Sequence, residues 1–118
     1  MENSSAIAFN CDEIILEEHL SKKTGKTLYQ KIVVDDPDTG MIVKLLKYPK
    51  GYMVPLHTHD CAHGCYVLKG TLVTSEGNYG PGSFIWFKEG PSMYHGAGEE
   101  EDAVVLFITN KPLNMNYL

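Results

Sequence analysis

From Thr27 onward the chain is cut by turn-forming residues at intervals of about ten, and this punctuation constrains the fold more than any other feature. Asp35-Asp36-Pro37-Asp38-Thr39-Gly40, Pro49-Lys50-Gly51, Lys69-Gly70, Glu76-Gly77-Asn78, Gly80-Pro81-Gly82 and Glu89-Gly90-Pro91 supply residues that tolerate positive φ or hold it at about −65°. The apolar segments between them predict strands over Leu28 to Val34, Gly40 to Tyr48, Gly64 to Leu68, Thr71 to Ser75, Ser83 to Phe87 and Ala103 to Thr109. Many short antiparallel strands hide their edges by closing into a barrel or a double-sheet jelly roll, so an all-β fold is expected. The acidic run Glu99 to Asp102 is expected as a solvated hairpin tip. After the last strand the chain is expected to end shortly, through Lys111-Pro112-Leu113. Asp12 to Ser21 admits a short helix or an irregular strand, and Met1 to Asn10, which lacks periodicity, is expected to fray or pack loosely.

A length of 118 residues suits one domain, taken as 1–118 with a barrel core over about 27–110. Net charge is −5, which disfavours nucleic acid because phosphate binding draws on clustered cations. All 10 basic residues are lysine, so the bidentate fork that arginine offers a carboxylate or phosphate is missing. Ala6 to Phe9 is too short for a signal-peptide core, and the run Ala103 to Ile108 is far short of the ~20 apolar residues that span a bilayer. No membrane association and a cytoplasmic location are expected. Cys11, Cys61 and Cys65 are an odd number and are expected as reduced thiols.

Three of the 5 histidines crowd into Pro55-Leu56-His57-Thr58-His59-Asp60-Cys61-Ala62-His63. In an extended segment residues i and i+2 share a face, so His57 and His59 can offer two imidazoles side by side. Clustered histidines can also be surface or hydrogen-bonded core residues, and His19, isolated among glutamates, is assigned so. For the cluster a metal is favoured. Imidazole suits zinc, copper, iron and nickel, and such a site with open positions supports hydrolytic or oxidative chemistry. Cys61 and Cys65 offer competing thiolates, but no second thiolate pair exists to complete a structural zinc site. Cys65 is expected as a buried small hydrophobe.

The segment Gly51-x5-His57-x-His59-x3-His63-x6-Gly70 resembles the first cupin motif, G-x5-H-x-H-x(3,4)-E-x6-G, with His63 standing where the glutamate is usual. Gly82 to His95 is similar to the second motif, G-x5-P-x-G-x2-H-x3-N, with Lys88 at the proline, the histidine two residues late and no following asparagine. The resemblance runs from about Lys44 to Ile108. Within that superfamily the chain looks most like acetylacetone dioxygenase-type cupins and the cupin domain of the anti-sigma factor ChrR.

The resemblance implies a double-stranded β-helix barrel, with His57 and His59 as the H-x-H ligands, His95 as the second-motif ligand and His63 either completing a four-histidine site or leaving a position to water. It implies one divalent metal, iron or zinc first and nickel or manganese next. Imidazole in place of the carboxylate raises the charge of such a centre and its Lewis acidity. The function expected is an oxygenase acting on a small molecule such as a diketone. The alternatives are a non-catalytic zinc- or metabolite-binding sensor and a Lewis-acid isomerase or lyase. A homodimer is expected, since many cupins of this size pair through a flat sheet face or exchange edge strands. Phe84, Trp86, Tyr66, Met53, Met93 and Tyr94 bracket the histidine strands and are expected mostly in the core. No general acid or base is named among Asp60, Glu76 and Glu89, which all fall in predicted turns.

Overall fold

The computed structural model describes residues 5–118, so Met1 to Ser4 of the segment expected to fray lie outside the described residues. Ser5 to Asn10 contains no helix or strand. The ambiguous stretch after it becomes two elements. Asn10 Oδ1 accepts from the Asp12 backbone N–H at 2.9 Å and caps a 3-10 turn, Cys11–Glu13, which is followed by an exposed strand β1, Glu17–Leu20.

Ten further strands follow: β2 Thr27–Asp35, β3 Ile42–Tyr48, β4 Met53–His59, β5 His63–Lys69, β6 Leu72–Thr74, β7 Gly77–Tyr79, β8 Phe84–Phe87, β9 Met93–Ala97, β10 Ala103–Thr109 and β11 Met115–Tyr117. They form two antiparallel sheets, ordered β1-β2-β3-β10-β5-β8 and β11-β4-β9-β6-β7. This is the all-β double-sheet barrel expected from the turn spacing. Along β10 alternate residues are buried, and Val105 and Phe107 join Leu46, Cys65, Val67 and Leu72 in one core. That period of two is why the strand was legible.

Four strands, β4, β7, β9 and β11, fall outside the expected segments. Pro55 interrupts β4, where the sequence reads as a break, but the pairing of β4 with β9 shifts register between Val54 and His57, and a bulge tolerates proline. The turn expected at Glu76-Gly77-Asn78 lies at Ser75-Glu76, because Thr74 Oγ1 accepts from the N–H groups of Glu76 and Gly77 at 3.0 and 3.1 Å. Gly77 and Asn78 are thereby freed to pair as β7. The chain does not end after β10. Asn114 and Asn116 donate to the Asp60 carboxylate at 2.6 and 3.1 Å, and β11 pairs Met115 with His59 and Tyr117 with His57. The acidic run Glu99 to Asp102 is exposed, as expected, but it joins β9 to β10 across the two sheets and is not a hairpin tip.

Gly96 sits in β9 between β4 and β6, opposite Met53 and Val73. An added Cβ there would collide with the backbone carbonyl of Tyr52. Backbone cannot swing aside as a side-chain tip can, so Gly96→Ala is expected to cost at least ~2 kcal/mol. Urea melts of the two proteins measure it. Equal midpoints would mean that the sheets are looser here than described.

Candidate metal centre

The four histidines named from sequence reach one region from three strands. His57 and His59 are two residues apart on β4, His95 lies on β9 across from Val54, and His63 opens β5 in the facing sheet. The relative exposures are 0, 1, 0 and 4% for His57, His59, His63 and His95, which rules out a solvated cluster. Ligating atoms of His57, His59 and His95 lie within 4.8 Å of one another, the one such group of histidine, cysteine or carboxylate donors among the described residues. His63 stands next to them, its ring centroid 4.2 Å from that of His59. It is held in a different way, near-parallel to Phe87 on β8 and Phe107 on β10, with centroids 5.0 and 4.9 Å away. His19 lies apart on exposed β1.

Local chemistry sets the presented atoms. His57 Nδ1 lies 2.6 Å from the carbonyl oxygen of Pro55, which can only accept, so the neutral ring carries its proton on Nδ1 and presents Nε2 as a lone pair. The Nε2 atoms of His57 and His59 are 2.8 Å apart. His95 Nδ1 is 3.0 Å from the Tyr48 hydroxyl. His59 Nδ1, both nitrogens of His63 and His95 Nε2 are buried without any hydrogen-bond partner. Leaving one such polar atom unsatisfied costs about 1–3 kcal/mol, so several in one place call for a ligand. Each neutral ring has one lone-pair nitrogen to give, and ligating atoms of His57, His59 and His95 lie close enough together to share a divalent cation, so the donor set fits one.

Burial holds the imidazoles neutral. It lowers His57, against the opposing hydrogen bond to Pro55. It brings His59 down to about 4 and His63 to about 3, with further lowering from neighbouring histidines and the Lys44 ammonium, and it puts His95 well below its ordinary value. Proton competition near pH 6.5, the expectation for unperturbed histidine, is therefore displaced to more acid pH.

A cavity of about 690 Å³ opens beside the cluster, lined by His59 and His95 and by apolar groups from both sheets, among them Leu46, Val54 and Phe107. Period two on β3 directs Ile42, Lys44, Leu46 and Tyr48 into it. Lys44 and Tyr48 were missed from sequence, although a lysine in phase with three inward apolar positions was a readable signal. Tyr117 was also missed. It lines the same cavity from β11, with its ring centroid 5.9 Å from that of His57.

The remaining candidates fall away from the site. Cys65 belongs to the hydrophobic core, and burial pushes its thiol up to about 12, so it stays protonated. Cys61 is fully buried in the β4–β5 connection, its thiol also raised by burial. Asp60 is engaged by Asn114 and Asn116, and Glu89 pairs with Lys111 at 2.7 Å. Of the bracketing residues expected in the core, Met93 is buried, but Phe84, Trp86, Tyr66 and Tyr94 are 55, 48, 40 and 40% exposed. In-phase neighbours fill the inner face, so these rings project outward.

The chain is similar to known proteins in family pattern and in fold. The family model described as the ChrR cupin-like domain matches residues 17–114. No curated protein matches the sequence. Among solved structures, a cupin-like protein from Thermotoga maritima superposes with a TM-score of 0.71 at 18% identity, over 78% of this chain and 76% of that one. The polyketide cyclase RemF from Streptomyces resistomycificus gives 0.73 at 18% identity, over 94 and 84%. The complex of Rhodobacter sphaeroides SigE with the anti-sigma ChrR gives 0.66 at 21% identity, over 83% of this chain and 50% of that one. At such identities the likeness establishes the fold.

Proposed function

The chain belongs to the ChrR cupin-like domain family, and on that premise we propose a single-domain metal-dependent cupin that acts as an oxygenase on a small chelating molecule such as a diketone. The observation that carries this reading is the set of converging neutral imidazoles with unpartnered nitrogens beside an apolar cavity. His57, His59 and His95 would hold the ion, with His63 as a fourth donor at hand. Iron bound there would supply redox chemistry with dioxygen, whereas zinc would supply Lewis acidity alone.

The chain's own residues prepare the site. The carbonyl of Pro55 fixes the His57 tautomer, and Tyr48, whose hydroxyl burial keeps protonated, orients His95 through Nδ1. Leu46, Val54 and Phe107 give the space beside the donors an apolar wall.

A second reading, zinc or metabolite binding without turnover, draws on the family match and on the likeness to the SigE–ChrR complex, whose cupin-like chain works with a protein partner. Metal analysis of protein purified without added metal, followed by oxygen uptake with a panel of diketones, separates the two. Iron at one ion per chain with diketone-dependent uptake supports the oxygenase. Zinc without uptake supports the second reading. A cytoplasmic setting belongs to the same proposal, supported by three free cysteines. Among the described residues no helix is long and apolar enough to cross a membrane.

A homodimer is proposed as well, through the outer face of the six-stranded sheet. Tyr66, Phe84 and Trp86 are neighbours there, with Tyr66 opposite Phe84 and Gly64 opposite Trp86, and the two aromatic rings cover Gly64. Identical apolar faces associate without needing charge complementarity. Sedimentation is expected to give twice 13.2 kDa, and Phe84→Glu with Trp86→Glu is expected to give the monomer. A parent protein that sediments as a monomer at micromolar concentration would contradict it.

A further inference from the structure

Lys44 is the one lysine lining the cavity, and nothing in the metal reading gives it a task. Its Nζ donates to Gln30 Oε1 at 2.9 Å and lies 5.1 Å from the centroid of Phe107, the ring whose centroid is 4.9 Å from that of His63. An ammonium has three donors, and Gln30 is a neutral acceptor, so the positive charge is left without a counter-charge. Among the described residues Lys44 forms no ion pair. The one carboxylate on the cavity wall, Asp35, is exposed at the end of β2 and sits opposite Ile42, while Lys44 is opposite Ile32. Placing the head group among apolar walls strains it, and burial lowers its pKa to about 8. At neutral pH it stays mainly charged.

We infer that the cavity is built for a small oxyanion, a carboxylate or an enolate, whose negative charge Lys44 meets while a second oxygen of the same molecule faces His59 and His95. This deepens the proposed function, on which it rests for the role of the histidines, and it names the chemical class of the ligand. A cation enclosed with one neutral partner gains most from an anion, because a charge-assisted hydrogen bond then replaces lost solvation. A neutral ligand of the same shape gives no such gain. The chain holds no arginine, so lysine is the side chain left to supply a cation for this task.

Pyruvate and its neutral amide, pyruvamide, share a skeleton and both present two adjacent oxygens, so they isolate the charge. Calorimetric titration of the metal-loaded protein is expected to show pyruvate bound at least about tenfold more tightly than pyruvamide. Lys44→Met and Lys44→Gln are expected to keep the metal content of the parent, to bind pyruvamide as before and to lose the preference. Retention of the preference in both variants would overturn the inference, and so would its absence in the parent. Loss of metal from both variants would overturn it too, by assigning Lys44 to the upkeep of the centre.

A second measurement does not depend on the metal. In the metal-free protein the 13C signal of the Lys44 ε-methylene, identified by its disappearance in Lys44→Met, is expected to move with pyruvate and to stay in place with pyruvamide. Movement without stoichiometric metal binding would sustain the oxyanion site and sink the metal reading. A signal that ignores pyruvate, in a protein that binds metal, would do the reverse.

Discussion

Replacing His57 or His95 with alanine is expected to reduce bound metal from one ion per chain to a trace, with affinity lower by at least ~100-fold. Loss of an outer-shell partner alone typically costs 10- to 100-fold, and these substitutions remove a donor outright. Only three histidines form the tight group, so either change leaves two donors of that group with only the ring of His63 beside them, and among the described residues no carboxylate or thiolate joins them. His59→Ala is expected to behave likewise. His63→Ala is expected to have a smaller effect, because its ring stands outside the group of three and is held by Phe87 and Phe107. Emission spectrometry on variants shown to be folded by circular dichroism makes the comparison. Full stoichiometry in both His57→Ala and His95→Ala would leave the cluster as a packing feature.

Acidification from pH 6.5 towards 4 is expected to destabilise the metal-free protein steeply. In the unfolded chain these histidines take up protons at about pH 6.5, whereas in the folded protein burial lowers all four, to about 4 for His59 and about 3 for His63. The unfolded state therefore binds more protons throughout this window. Stability is fully present above 6.5 and declines as pH falls toward the folded values. Each such histidine contributes ~1.4 kcal/mol per pH unit, so the three lowered furthest, His59, His63 and His95, together give ~4 kcal/mol per pH unit, comparable with the ~5–15 kcal/mol that holds a typical domain together. Urea melts at pH 7, 6 and 5 measure the slope. His63→Phe, which keeps an aromatic ring between Phe87 and Phe107, is expected to lower it by about one proton. Equal stability at pH 7 and pH 5 would show that the imidazoles are solvated.

What the sequence made legible follows from what a strand reveals locally. β2, β3, β5, β6, β8 and β10 could be read because apolar residues recur along them between turn residues, and the H-x-H spacing exposed His57 and His59 because a period of two is a property of the strand alone. β4 and β11 depend on partners. A bulge opposite β9 accommodates Pro55 in β4, and two asparagines on Asp60 secure the three-residue β11. The placing of Trp86 and Phe84 was also hidden. Alternation assigns them to one face of β8 but does not say which face is inner, and the facing sheet decides that. Lys44 and Tyr48 were obscured because a cavity is a relation between two sheets.

Diffraction from crystals of the metal-loaded protein, recorded on both sides of the metal's absorption edge, locates the ion. One anomalous peak per chain is expected, within bonding distance of ring nitrogens of His57, His59 and His95. A peak centred elsewhere, or none in crystals grown from protein with measured stoichiometric metal, would contradict it.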